Sequence, residues 1–133
     1  MPSAGPLPRT SIIVVSRPRP RHLARCLDAL ARQSHPDCEI VLVADPGSVD
    51  IRPDLPLKRC AFDVPNISQA RNRGIALAAG AVLAFIDDDA IAVPDWASAL
   101  ARPFADPRVL AATGFTRGPD GLSWQARAER MTP

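Results

Sequence analysis

One stretch limits what this chain can fold into more than any other. Residues Asn66 to Asp89 read N-I-S-Q-A-R-N-R-G-I-A-L-A-A-G-A-V-L-A-F-I-D-D-D. Ile67, Ala70, Gly74, Leu77 and Ala78 recur at three- and four-residue steps, which predicts a helix with those residues on one face. Gly80 stands where a helix end favours a left-handed residue. Ala81 to Ile86 carry no polar side chain, the pattern of a strand covered on both faces. Asp87, Asp88 and Asp89 follow at once.

The position of these carboxylates matters more than their number. In an open α/β sheet, ligands bind beyond the carboxyl ends of the strands. Adjacent carboxylates repel one another, and a hard divalent cation such as Mg²⁺ or Mn²⁺ relieves that repulsion. Such a cation is commonly shared between one or two carboxylates and a substrate phosphate. The triplet alone leaves a second reading open, a solvated turn whose last Asp caps the next helix.

The rest of the chain fits the same architecture. Ser11 to Ser16 is β-branched and apolar, a central strand. Arg17-Pro18-Arg19-Pro20 ends it, and Pro20 suits the first turn of a helix. Leu23, Leu27, Leu30 and Ala31 carry that helix to about Gln33. Glu39 to Ala44 is a second strand, closed by Asp45-Pro46-Gly47-Ser48. Strand, helix and strand in about 35 residues make a βαβ unit with parallel strands. Residues 49–57 are a proline-rich loop and Lys58 to Val64 a short third strand. After the triplet, Pro94-Asp95-Trp96 opens a helix carrying Trp96, Leu100 and Phe104 at four-residue steps. Arg108 to Phe115 reads as a fifth strand, Gly118 to Gly121 as a turn, and Leu122 to Met131 as a further helix. The fold expected is α/β and Rossmann-like, a mostly parallel sheet with helices on both faces. Residues 1–10 are a loose lead-in, and 11–133 form one domain.

Composition narrows the function. The 133 residues carry a formal charge of only +2, which argues against a bulk polyanion partner such as nucleic acid. Arg9, Arg17, Arg19, Arg21, Arg25 and Arg32 precede residue 36 against one acid, Asp28. That asymmetry fits a phosphate-facing patch or a solvated helix face. The 15 prolines lie between the apolar segments and punctuate short elements. Cys26, Cys38 and Cys60 form no CxxC pair, so neither a disulfide framework nor a zinc site is expected. No apolar run approaches a membrane span, and Met1 to Pro8 lack a secretory pattern. The expected location is the cytoplasm, including the inner face of the membrane.

The string Ser68-Gln69-Ala70-Arg71-Asn72-Arg73-Gly74, an apolar strand, and Phe85-Ile86-Asp87-Asp88-Asp89 together resemble the inverting nucleotide-sugar transferases of glycosyltransferase family 2, which have the GT-A fold. There the pattern is A-R-N-x-G, a strand and an aspartate-rich "DxD" signature. The resemblance extends to the turn after the second strand, where Asp45 matches an acid that hydrogen-bonds the nucleotide base. Read from residues alone, Asp45-Pro46-Gly47 is ordinary turn chemistry, and an Asx turn is the favoured reading. The family's first strand usually runs into P-T-Y-N; here the positions read Val15-Ser16-Arg17-Pro18. An aromatic to lie on the base is missing, and the planar guanidinium of Arg17 is the group available to stack there.

The resemblance implies a metal-dependent transferase using Mn²⁺ or Mg²⁺ and a nucleotide-diphosphate sugar, a UDP-sugar first, with an unidentified acceptor. It implies nucleotide binding by Ser16, Arg17, Asp45, Arg71, Asp87 and Asp88, and metal binding by Asp87 and Asp89. Residues 10–117 cover the family's donor-binding half. The general base normally lies further downstream, so the expectation is an incomplete enzyme that does not transfer sugar alone. The alternative is a non-catalytic nucleotide-binding or interaction domain derived from such a half. A receiver-type phosphoacceptor domain is disfavoured, because it needs carboxylates after the first strand, where this chain has Ser16-Arg17.

Overall fold

A computed structural model describes residues 6–114, 117–118, 121–122 and 130–131. In chain order come β1 (Thr10–Ser16), α1 (Pro20–Ala31), β2 (Cys38–Ala44), β3 (Lys58–Ala61), α2 (Ile67–Leu77), β4 (Val82–Asp87) and α3 (Trp96–Ala101), with a 3-10 turn at Arg102–Ala105. Four two-residue strands follow, β5 (Ala111–Ala112), β6 (Arg117–Gly118), β7 (Gly121–Leu122) and β8 (Arg130–Met131). The first four strands form one parallel sheet in the order β3-β2-β1-β4.

Alternation along β1 divides the core between the two faces of the sheet. Ile12 and Val14 pack with Leu23, Cys26, Leu27 and Leu30 of α1 and with Leu42, Ala44 and Ala84 of the neighbouring strands. Ile13 lies against α2, close enough that a Cβ at Gly74 would stand 2.6 Å from its Cγ2. Helices therefore cover both faces, and Ile12, Ile13, Leu23, Leu27, Leu30 and Leu42 are fully buried. Each contributes about 1.5–3 kcal/mol through removal from water. The strand order reverses at β1, whose chain neighbour β2 lies on one side and β4 on the other. Val15 is level with Asp87 and Ser16 with Ala44, so three strands end together at that reversal.

Four expectations are corrected. Gly80 is not a left-handed helix end: the α2 C-cap is Ala78, in extended conformation. Gly80 is required by proximity, because a Cβ there would lie 2.6 Å from the Ser11 amide nitrogen and 2.9 Å from the Arg9 carbonyl oxygen. The stripe on α2 buries only Ala70 and Gly74, while Ile67 and Leu77 are exposed. β4 is covered on one face only, with Leu83 36% and Phe85 44% exposed, because α2 packs over β1 and β2. Arg108 to Phe115 does not add a fifth strand to the sheet. Only Ala111–Ala112 is extended, and it pairs antiparallel with Arg130–Met131. Apolar composition signals a strand but does not choose its partner.

Two smaller differences concern element ends. α3 begins at Trp96, after Asp95 as N-cap, so Pro94 lies outside it. Leu122, Arg130 and Met131, at the ends of the predicted last helix, are extended, and 123–129 lie outside the described residues. β6 and β7 pair antiparallel around the predicted turn, with Gly118 opposite Gly121. No helix among the described residues is long and apolar enough to cross a membrane.

Candidate functional site

The carboxyl ends of β1, β2 and β4, together with the start of α2, enclose a cleft of about 490 Å³. Its wall includes Ser16 at the end of β1 and Arg17 after it, Val43 of β2, Phe62 after β3, Asn66 and Ala70 of the α2 entry, and Asp87 to Asp89. Local sequence explains each contributor. Pro18 and Pro20 stop β1 and start α1, which leaves Ser16, Arg17 and Arg19 at the rim. Asn66 caps α2 by accepting the Gln69 backbone N–H at 3.0 Å, fixing the helix start beside the cleft. The Arg73 guanidinium stands 5.4 Å from the centre of the Phe62 ring, on which it packs.

The three carboxylates are not equivalent. Asp88 is buried, and its Oδ2 accepts a hydrogen bond from Ser16 Oγ at 2.8 Å, across the reversal between β1 and β4. Arg19 Nη1 stands 3.7 Å from Asp88 Oδ1 and 3.4 Å from Asp89 Oδ2. Asp87 is exposed, and its side chain makes no hydrogen bond or ion pair among the described residues. Its backbone carbonyl lies 3.5 Å from Cys26 Sγ. Burial, with the charges of Asp88, Asp89 and Asp87 behind it, pushes the Cys26 thiol up to about 12, so Cys26 is an inert core group.

Asp45 and Arg71 stand apart from this wall. The Asp45 backbone carbonyl closes the turn after β2 by accepting the N–H groups of Ser48 and Val49, at 2.9 and 3.0 Å. Its side chain takes no part in that turn: Oδ1 is buried and meets no hydrogen-bond partner among the described residues. A buried carboxylate oxygen without a donor is costly. Arg71 follows the cleft residue Ala70 on α2 but is not part of the wall. Arg17 pairs with Asp63 at 3.6 Å. Sequence reasoning singled out neither Arg19 nor Phe62 for the site. The arginine-rich opening held a signal for Arg19; nothing in the sequence marked Phe62, which reaches the cleft only because β3 ends beside β2.

The donor set fits one kind of cation site and not another. Among the described residues no three His, Cys, Asp or Glu side chains converge to cage a metal by themselves. A cation shared between one or two carboxylates and a diphosphate does fit: Asp87 is free and Asp89 is half exposed, both offering hard oxygen ligands.

An α/β sheet with a carboxylate-rimmed cleft at its reversal point belongs to the class of domains that bind ligands at strand ends. Residues 11–132 match Glycosyl transferase family 2, and the chain belongs to that family. It is 29% identical over 139 residues to the glucosyl-dolichyl phosphate glucuronosyltransferase of Haloferax volcanii, covering 94% of this chain and 42% of that protein. It is 30% identical over 108 residues to EpsH of Bacillus subtilis, designated a glycosyltransferase, covering 74% of this chain and 31% of that one. The chain thus spans less than half the length of these relatives. Among solved structures, the mannosyltransferase PcManGT of Pyrobaculum calidifontis, in complex with GDP-Man and Mn²⁺, superposes with a TM-score of 0.67 at 25% identity. That match covers 86% of this chain and 37% of PcManGT. The Rossmann-like GT-A fold is shared with it.

Proposed function

We propose that this chain is the donor-binding part of a metal-dependent glycosyltransferase, holding a nucleotide-diphosphate sugar in the cleft between β1, β2 and β4. The observation that carries the proposal is the Ser16–Asp88 hydrogen bond across the strand reversal, flanked by Asp87 and Asp89. Family membership and the Mn²⁺ and GDP-Man of PcManGT support it.

Each residue has a role under this reading. Ser16 orients Asp88 and fixes the turn that carries its neighbours. Asp87 and Asp89 would hold the metal, Mn²⁺ or Mg²⁺, which would supply positive charge to offset that developing on a leaving diphosphate. Arg17 offers a planar guanidinium at the rim, for stacking or for a phosphate. Arg71 adds positive charge behind the wall. The unpaired Asp45 oxygen accepts an N–H from the base. Phe62 supplies an aromatic surface that the β1 end lacks. The carboxylates lining the cleft, Asp87 to Asp89, all serve the donor, so deprotonation of the acceptor hydroxyl falls to another group. The sequence reading favours a UDP-sugar, whereas PcManGT holds GDP-Man.

Titration calorimetry with UDP and GDP tests this. The expected result is nucleotide binding in Mn²⁺ or Mg²⁺ that EDTA abolishes, with Asp89→Ala weakening it at least about tenfold, the loss of one charged ligand. Asp45→Ala should narrow the difference between UDP and GDP while leaving the metal requirement intact. Equal nucleotide binding with and without metal would remove the carboxylates from this role.

A further inference from the structure

Arg19 has no role in the reading above, yet among the described residues it is the cation that pairs with Asp88 and Asp89. It is the N-cap residue of α1, where its side chain makes no capping hydrogen bond. Instead the guanidinium reaches across to the β4 end, with one nitrogen, Nη1, 3.4 Å from Asp89 and 3.7 Å from Asp88. The two partners come from adjacent residues whose charges repel, and a single positive group between them offsets that repulsion. The side chain is 56% exposed, so these two contacts are the polar interactions that hold it. Ion pairs made by an exposed arginine are weak, each worth a factor of a few in an equilibrium constant, although Asp88 itself is buried. They are strong enough to order the carboxylates and weak enough to be displaced.

We propose that Arg19 is a displaceable counter-cation: it bridges Asp88 and Asp89 while the site holds no donor, and moves to the diphosphate when a divalent cation takes the carboxylates. This rests on the donor-binding reading of the cleft and adds an exchange of cations to it. Arg19 lines the same cleft, within reach of a ligand seated against Asp87 to Asp89. The guanidinium is always charged and its fork matches phosphate oxygens as well as carboxylates, so the exchange changes its partner and not its chemistry. Arg19 therefore opposes the bare metal and favours the nucleotide, which couples the two binding events. A group that merely holds the carboxylates in place favours both.

The opposite signs make the test. Mn²⁺ binding to the full chain, read from the free-ion paramagnetic resonance signal, should tighten about fivefold in Arg19→Ala, the loss of the two ion pairs made by this exposed guanidinium. UDP or GDP binding at saturating Mn²⁺ should weaken about tenfold in the same variant, by loss of a charge-assisted contact. Arg19→Lys should fall between wild type and Ala on both scales, since it keeps the charge without the fork. Arg25→Ala, an exposed position on the same helix, should move neither and so controls for net charge. Weaker Mn²⁺ binding in Arg19→Ala would make the residue a scaffold, and unchanged binding on both scales would make it a bystander; either overturns the exchange. Absence of Mn²⁺ and nucleotide binding in the wild type would instead overturn the donor-binding reading beneath it.

Discussion

Glu39 gathers several polar contacts outside the cleft. Its side chain is only 13% exposed, with Oε2 accepting from Ser11 Oγ at 2.6 Å and from the Ala79 N–H at 2.7 Å. Oε1 stands 2.8 Å from Lys58 Nζ, the only lysine in the chain, which also donates to the Leu77 carbonyl at 2.9 Å. One carboxylate thus ties β1, β2 and β3 to the end of α2. Burial pushes its carboxyl up, but the hydrogen bonds from Lys58, Ser11 and Ala79 outweigh this and bring it from its ordinary 4.5 to about 2. A carboxylate held low in the folded state binds fewer protons there than when unfolded. Its stabilisation is therefore present above pH 4.5 and lost as pH falls towards 2. Chemical denaturation across that window should give a falling midpoint in the wild type and a flatter one in Glu39→Gln. The variant should also lose about 2 kcal/mol at pH 7, because charged hydrogen bonds are replaced by neutral ones. An unchanged acid limb in the variant would assign the pH dependence to other carboxylates.

At the scale of elements, two glycines decide how closely α2 and β4 approach the sheet. A Cβ at Gly74 would stand 2.6 Å from Ile13 Cγ2 and 3.4 Å from Val43 Cγ2, both buried β-branched side chains with little room to turn. A Cβ at Gly80 would meet the backbone of Arg9 and Ser11, which yields less than a side chain. On an exposed helix Gly→Ala stabilises by about 1 kcal/mol; here overpacking of about 1–3 kcal/mol opposes it. Gly74→Ala should lower the urea midpoint modestly and Gly80→Ala by more. A higher midpoint in either would mean the helix or strand can retreat without loss. The loop between β2 and β3 depends on one side chain in a similar way. Arg59 donates to the carbonyls of Val49, Ile51, Arg52 and Leu55 at 2.6 to 3.3 Å, so a segment that reads as unstructured proline-rich loop is held to β3. Gln33 does the same for α3, whose N-terminal Ala97 N–H it accepts at 2.9 Å where Asp95 makes no side-chain cap.

At the scale of the molecule, the sheet ends at β4, which among the described residues pairs only with β1. That edge carries Leu83 and Phe85 on the α2 side, with Ile75 of α2 also 41% exposed. An open parallel edge beside exposed apolar side chains is a template for association. The 133-residue chain should therefore self-associate at micromolar concentration. Sedimentation velocity should show Phe85→Lys shifting it towards monomer, because an edge lysine blocks pairing. Leu110→Lys, at a position 70% exposed but outside the main sheet, should leave association unchanged. Loss of association in both variants alike would trace it to general hydrophobicity.

Short-range patterns are what the sequence determined by itself. β-branched runs made β1 and β2, Pro20 started α1, and the order strand-helix-strand made the sheet parallel, because these depend on neighbours a few residues apart. The same logic put Asp87 to Asp89 at a strand end, and the motif around Arg71 to Gly74 led to the family that residues 11–132 match. Tertiary structure alone decided which faces were covered and which groups met. Ser16 and Asp88 are 72 positions apart, Arg19 and Asp89 are 70 apart, and Ser11 and Glu39 are 28 apart. Periodicity cannot encode contacts of that span, because they follow from strand order and register. The exposure of Leu83 and Phe85 has the same origin: an apolar run specifies a strand, but burial depends on which helix lies over it, and α2 lies over β1 and β2.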